Sequence, residues 1–275
     1  MGKMENFSKK LGFIGAGNMA AAMMSGIVEG NIFPANGIVM SDISGDRLAF
    51  ISEKYGVDTT SDNTQVAKSA EVVFLAVKPQ YYTQVITEIA PVVTEKQLII
   101  TIAPGQTLAS LSERFGNDRL KIIRTMPNTP AMVGAGVTAV TPNANVTPEE
   151  LAYARRILGG FGISEVISEN LMDAVVSVSG SSPAYVFMFI EAMADAAVAD
   201  GMPRAQAYRF AAQAVMGSAK MVLETGRHPG ELKDMVCSPA GTTIEAVRVL
   251  EEKGFRGAVM DAMKACTDRS RSLVK

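Results

Sequence analysis

Leu11-Gly-Phe-Ile-Gly-Ala-Gly-Asn-Met-Ala20 is the stretch that decides the fold. Its first four residues are a short, β-prone run, and residues 19–29, rich in Ala and Met, read as a helix. Between them stands G-x-G-x-x-A. The first Gly permits a tight turn, the second lets backbone approach a pyrophosphate, and the small Ala lets helix lie on strand. Helix-start amides then face the phosphates. A Gly-rich turn can also be merely structural, but this one sits where a dinucleotide-binding turn has to sit. Asp42 ends the next β-rich run about 20 residues on, the spacing of an acid that hydrogen-bonds a ribose 2′-hydroxyl.

Outward from that stretch, β-rich runs at 11–14, 37–41, 72–77, 98–102 and 121–125 alternate with helical stretches at 46–55 and 108–115. The alternation predicts βαβ units and a parallel sheet covered on both faces. Residues 72–77 are apolar on both faces, as a central parallel strand should be. After about Glu169 the strand pattern stops. Helices are predicted over 182–200, 203–225, 229–236, 243–253 and 255–273, punctuated by Gly and Pro. The chain reads as an α/β protein, a Rossmann-type parallel-sheet domain over 1–167 followed by an all-α domain over 168–275. A length of 275 residues suits two domains.

Residues 183–199 are apolar almost all round, with Glu191 and Asp195 as their only charges, so this helix should be buried on every side. A domain of about a hundred residues cannot easily do that alone, so a second copy of the chain is expected to cover it. A net charge of −2 gives no reason to expect nucleic acid or anionic lipid as partner. The uninterrupted apolar run 184–190 ends at Glu191, short of a membrane span, and glycines break the N-terminal apolar stretch before a signal-peptide core could form. Cys237 and Cys266 make neither a disulfide framework nor a paired zinc motif, which fits a reducing compartment. The expectation is a cytoplasmic protein without a metal. One histidine, His228, excludes any mechanism that needs two imidazoles, and before Pro229 it reads as a cap or packing residue.

Three loops follow predicted strands: Ala76-Val77-Lys78-Pro79, Ile102-Ala103-Pro104-Gly105 and Met126-Pro127-Asn128-Thr129-Pro130. Each alone is an ordinary strand end, but together they favour a cleft at one edge of the sheet. In the helical half, Ser179-Gly-Ser-Ser-Pro-Ala-Tyr185 reads as a cap or a substrate contact. Ser238-Pro-Ala-Gly-Thr-Thr-Ile-Glu245 also carries two readings. Thr242 and Glu245 have the spacing of a capping box. A helix start with two hydroxyls and free amides also suits a small carboxylate.

Taken together, Gly12–Met19, Ala76–Pro79, Met126–Pro130, Ser179–Tyr185 and above all Leu232–Ala246 resemble the pyrroline-5-carboxylate reductases over essentially the whole chain. The last block carries most of the specificity. The resemblance implies reduction of the small-molecule substrate 1-pyrroline-5-carboxylate to L-proline, the last step of proline biosynthesis, with NADPH or NADH (bound NADP or NAD) as cofactor, in a homodimer or larger homo-oligomer. It implies that Phe13, Ile14, Gly15, Ala16, Gly17, Asn18 and Met19 line the pyrophosphate turn and that Asn63 contacts the adenosine ribose. Ala76, Val77, Lys78, Pro79, Ile102, Ala103 and Pro104 fall on the nicotinamide side. Ser238, Gly241, Thr242, Thr243 and Asn128 fall to the substrate, with Thr243 catalytic because its hydroxyl is nearest the imine nitrogen. Two departures stand out: Ala240 where the family usually has Gly, and Asp42 where it usually has hydroxyl or basic residues. A C=N bond is already a good hydride acceptor, so orientation can supply most of the acceleration without histidine pairs or metal. Two other readings stay open. A β-hydroxyacid reductase of the same build would want a lysine that residues 188–199 lack, and a nucleotide-binding protein without turnover would keep the cleft.

Overall fold

The computed structural model describes residues 10–102 and 104–273. Two compact units emerge, one holding the residues up to Gly180 together with those from Thr267 on, the other Ser181–Cys266.

In the first unit, β1 (Leu11–Ile14), β2 (Ile38–Ser41), β3 (Asp58–Thr60), β4 (Val72–Leu75), β5 (Leu98–Thr101), β6 (Lys121–Met126), β7 (Gly136–Pro142) and β8 (Gly162–Val166) form one sheet in the order β3-β2-β1-β4-β5-β6-β7-β8. All neighbours pair in parallel except β6 with β7. The helices of this unit are α1 (Asn18–Met24), α2 (Gly45–Tyr55), α3 (Asn63–Ser69), α4 (Tyr82–Ile89), α5 (Leu108–Phe115), α6 (Pro148–Leu158) and the short α7 (Met172–Val175). Strands β1 and β4 lie side by side, with Ile14 opposite Leu75, and the strand order reverses there. That is the switch point at which open α/β sheets bind ligands.

Alternation along the strands fills both faces. Phe13 and Phe74 stack at 4.4 Å between ring centroids among Leu11, Met23, Ile27 and Ile100, while Ile14, Val73, Leu75 and Ile99 join Val66, Tyr82 and Ile86 on the other side. The strand expected at 72–77 stops at Leu75, which frees Ala76 and Val77 for the loop. The helix expected at 19–29 is α1 followed by a π-helical stretch, Ser25–Glu29. Gly26 in that stretch lies against the Gly160 backbone, where an added Cβ would sit 2.5 Å from the Gly160 carbonyl oxygen.

The second unit is built from α8 (Ser182–Ala199), α9 (Arg204–Thr225), α10 (Pro229–Val236), α11 (Thr242–Glu252) and most of α12 (Phe255–Leu273). Pro183 lies in the first turn of α8, and Gly226 closes α9 in the left-handed conformation, the positions where each residue fits best. Phe187 and Met188 of α8 are 62% and 69% exposed in the single chain, and Ala194 is the one α8 residue buried within it. By length and composition alone Glu169–Ala199 is apolar enough to cross a membrane, although Asp173, Glu191 and Asp195 interrupt it. Within it Asp195 is paired with Arg204.

Candidate functional site

The turn after β1 is fixed by its first glycine. Gly15 has φ +105°, and a Cβ there would lie 2.7 Å from the Ala76 carbonyl oxygen, so a side chain is excluded twice over. Its N–H donates to the Ser41 carbonyl and the Ala76 N–H donates to that of Ile14, both at 2.8 Å, which locks the ends of β1, β2 and β4 together. Gly17 caps α1 without a side-chain partner, and nothing stands within 4 Å of where its Cβ would be. The groove side of the turn is therefore open backbone. Phe13, Ile14 and Ala16 are fully buried behind it and expose no surface to the groove.

Two connected cavities of about 260 and 420 Å³ run along the switch point and share Gly17, Ala76, Val77 and Lys78. The first adds Gly15, Asp42 and Asn63; the second adds Asn18, Met19, Pro79, Ile102, Pro104 and Asn128. Residues chosen from six separate stretches of sequence thus line one groove. Ala103 lies outside the described residues. The sequence reading passed over Ile43, 94% exposed at the tip of the β2–α2 loop, and over Tyr81, Gln84 and Val85. A lone β-branched residue in the polar turn Asp42-Ile43-Ser44 was the available signal.

The acid at the end of β2 is already engaged. Asp42 Oδ2 accepts the Ala16 N–H at 2.7 Å and Oδ1 the Ser44 N–H at 2.9 Å, while Arg47 donates from Nε and Nη2 to the Ala16 carbonyl at 3.0 and 2.8 Å. Asn63 is held by its neighbours, its Oδ1 accepting from the Ser41 hydroxyl at 2.7 Å and its Nδ2 donating to Glu88 at 2.8 Å. Next to it Asp62 caps α3. The Thr64 hydroxyl, with the Gln65 and Thr64 amides, holds its carboxyl below the usual carboxylate range. Asn128 is 8% exposed. Its Oδ1 accepts the Val137 N–H at 2.9 Å and its Nδ2 donates to the Ser179 carbonyl at 3.1 Å, so it ties β7 to the strap before α8.

In the second unit Thr242 and Thr243 are the first two residues of α11. The capping box read from Thr242 and Glu245 does not form. Gly241 is the N-cap and no side chain caps it, because the Gly241 N–H donates to the Ser238 carbonyl at 3.1 Å and the helix starts one residue earlier than a Thr242 cap requires. Glu245 instead pairs with Arg248 at 3.1 Å. Thr243 is half-buried, while Thr242 and Ser238 are exposed. His228 caps α10 through Nδ1, which accepts the Gly230 N–H at 3.0 Å. Near the start of α8, the Cys266 thiol donates to the Ser181 hydroxyl at 3.3 Å, and a hydrogen bond with Cys266 pushes the Tyr185 hydroxyl pKa up. Among the described residues no three His, Cys, Asp or Glu side chains gather closely enough to hold a metal ion.

The pyrroline-5-carboxylate reductase of Escherichia coli (strain K12) is 57% identical over 97% of this chain and 99% of its own. The chain belongs to the pyrroline-5-carboxylate reductase family. A pyrroline-5-carboxylate reductase from Coxiella burnetii has the same fold, with a TM-score of 0.91 at 36% identity, covering 98% of this chain and 99% of that one. The Plasmodium falciparum pyrroline carboxylate reductase, solved with NADP bound, matches at 0.87 with 31% identity over 98% and 99%. Residues 169–273 match the family model for pyrroline-5-carboxylate reductase dimerisation, and residues 10–105 that for coenzyme F420-dependent NADP oxidoreductase.

The loop before α11 holds a non-glycine residue, Ala240, at φ +56°. An L-residue in the left-handed region costs about 1–2 kcal/mol. Ala240→Gly removes that cost and returns roughly 0.4–1 kcal/mol as extra freedom of the unfolded chain. The variant should gain up to about 1 kcal/mol in urea unfolding at fixed protein concentration. No gain would show that the loop relaxes around the methyl group.

Proposed function

We propose that the chain reduces 1-pyrroline-5-carboxylate to L-proline with NADPH or NADH, the last step of proline biosynthesis. The observation that carries this is the 57% identity to the Escherichia coli reductase over 97% of the chain. The tight turn at Gly15 and the groove beyond Gly17 fit a dinucleotide: the cradle is backbone, and a Cβ at Gly17 would stand in its open space. In this reading the turn from Phe13 to Met19 holds the pyrophosphate, Asn63 the adenosine ribose, and the loops 76–79 and 102–104 the nicotinamide. A bound nicotinamide coenzyme supplies the hydride that the imine carbon accepts. Thr243 holds the imine nitrogen and assists its protonation by a proton drawn from water, which completes L-proline, while Ser238, Gly241, Thr242 and Asn128 orient the ring and its carboxylate. Orientation of this kind is where most of the rate comes from.

In this reading residues 1–167, apart from Asn128, take the coenzyme, and 168–275 the substrate and the partner chain. The working form is a homodimer or a larger ring, supported by the apolar α8 face and the dimerisation model match. Two free cysteines agree with a cytoplasmic setting. Incubation with pyrroline-5-carboxylate and NADPH should consume the nicotinamide absorbance and yield proline. Coenzyme binding without turnover would leave only a nucleotide sensor, and turnover with β-hydroxyacids instead would name a different substrate class.

Asp42 bears on the choice of coenzyme. Its carboxylate is fixed by the Ala16 N–H and lines the same cavity as Asn63, so a 2′-phosphate held there would meet like charge. Like charges a few ångströms apart near a surface cost on the order of 1–4 kcal/mol. Asp42→Ser should therefore move the ratio of kcat/KM values toward NADPH by about tenfold. An unchanged ratio would remove the Asp42 charge from coenzyme selection.

A further inference from the structure

We propose that Arg47 is a positioning residue for coenzyme binding, holding the peptide between the two glycines of the turn so that the Gly17 N–H is presented to the pyrophosphate. This rests on the reading above that the turn takes a nicotinamide dinucleotide. Arg47 Nε and Nη2 both donate to the Ala16 carbonyl, at 3.0 and 2.8 Å. In a planar trans peptide the carbonyl and the following N–H point in opposite directions, so a carbonyl drawn to Arg47 turns the Gly17 N–H the other way. The other way is the groove, which Gly17 lines in both cavities while Ala16 is fully buried.

The preceding peptide explains why this amide matters. The Ala16 N–H is taken by Asp42 at 2.7 Å, so Ala16 has no amide hydrogen left for an anion, and Gly17 carries the next one. Arg47 is itself immobilised. Its backbone N–H meets the Ser44 hydroxyl at 3.4 Å, and its guanidinium lies 5.5 Å from the Phe50 ring centroid. Two of its three nitrogens face Ala16, which disagrees with a main role as ligand of a 2′-phosphate. A lysine could reach the carbonyl with one hydrogen but could not grip it from two sides.

The test is coenzyme dissociation constants of the purified oligomer, read from nicotinamide fluorescence, for wild type, Arg47→Ala and Arg47→Lys, with thermal unfolding alongside. Loss of a charge-assisted contact predicts an NADH Kd about tenfold higher in Arg47→Ala and a smaller rise in Arg47→Lys. The KM for the imine at saturating coenzyme should hold steady, a split that general loosening of the fold would not give. An unchanged NADH Kd in Arg47→Ala overturns the proposal, including the case where NADPH alone binds worse and Arg47 is a phosphate ligand. If Arg47→Ala does not fold, Arg47→Lys decides by the same reading. Wild type that binds neither coenzyme overturns the functional reading and this inference with it, whereas normal wild-type binding with an unaffected variant overturns this inference alone.

Discussion

Thr243→Ala should lower kcat for imine reduction by about a hundredfold, equivalent to on the order of 3 kcal/mol of lost transition-state stabilisation. As the imine carbon takes the hydride, charge shifts onto the nitrogen, and a hydroxyl placed there would stabilise the change and assist protonation from water. Thr243 is free for this role in a way the sequence alone left undecided. The helix starts on Gly241 with no side-chain cap, so neither threonine is committed to closing a capping box. The same geometry predicts that Thr242→Ala costs well under the roughly 1 kcal/mol of a lost N-cap. Coenzyme Kd should stay near wild type in Thr243→Ala, and Thr243→Ser should recover most of the rate. Steady-state kinetics at saturating NADPH checks the rates, urea unfolding the stability of Thr242→Ala, and nicotinamide fluorescence the Kd. If Thr243→Ala turns over like wild type, the residue merely begins a helix.

What the sequence made legible was whatever local rules determine. Strands β1, β4 and β5 are short runs buried on both faces, so their apolar character shows without knowledge of the partners. Helices α8 to α12 came within a residue or two because Pro183, Pro203, Pro229, Gly226 and Gly254 mark their ends. Three strands escaped. β3 is a three-residue polar edge, and β8 is a second edge with most of its residues exposed. β7 turns antiparallel to β6, with Ala139 opposite Met126, a pairing set by tertiary packing. The groove showed the same division. Gly15 was readable because its backbone admits no other residue, whereas the links from Asp42 and Arg47 to Ala16 and from Glu88 to Asn63 join residues 25 to 31 apart. Which way those side chains point is decided only once the sheet is assembled. The capping box failed for a related reason: the spacing of Thr242 and Glu245 was right, but the preceding turn put the helix start at Gly241.

Met188→Asp should convert the assembly to monomers of 29.1 kDa by light scattering at micromolar protein and lower the melting temperature at the same time. The residue is 69% exposed in the single chain, beside Phe187 and Phe189 at 62% and 41%, on a helix whose only charges are Glu191 and Asp195. An apolar face of this extent is a liability in water and an asset against a second copy of itself. An aspartate placed there would meet apolar side chains in the assembled state. Stranding an unpaired charge in an interface costs about 3–5 kcal/mol. In a symmetric dimer each such contact occurs twice, so the penalty doubles. Folding and association are expected to fall together, because so much of the α8 surface is exposed in the single chain. Met188→Leu, which keeps the volume and the apolar surface, should retain the wild-type mass. A wild-type protein already at the monomer mass would mean that something other than a second copy covers α8, and a Met188→Asp variant with the full wild-type mass would place the interface elsewhere on the helical unit.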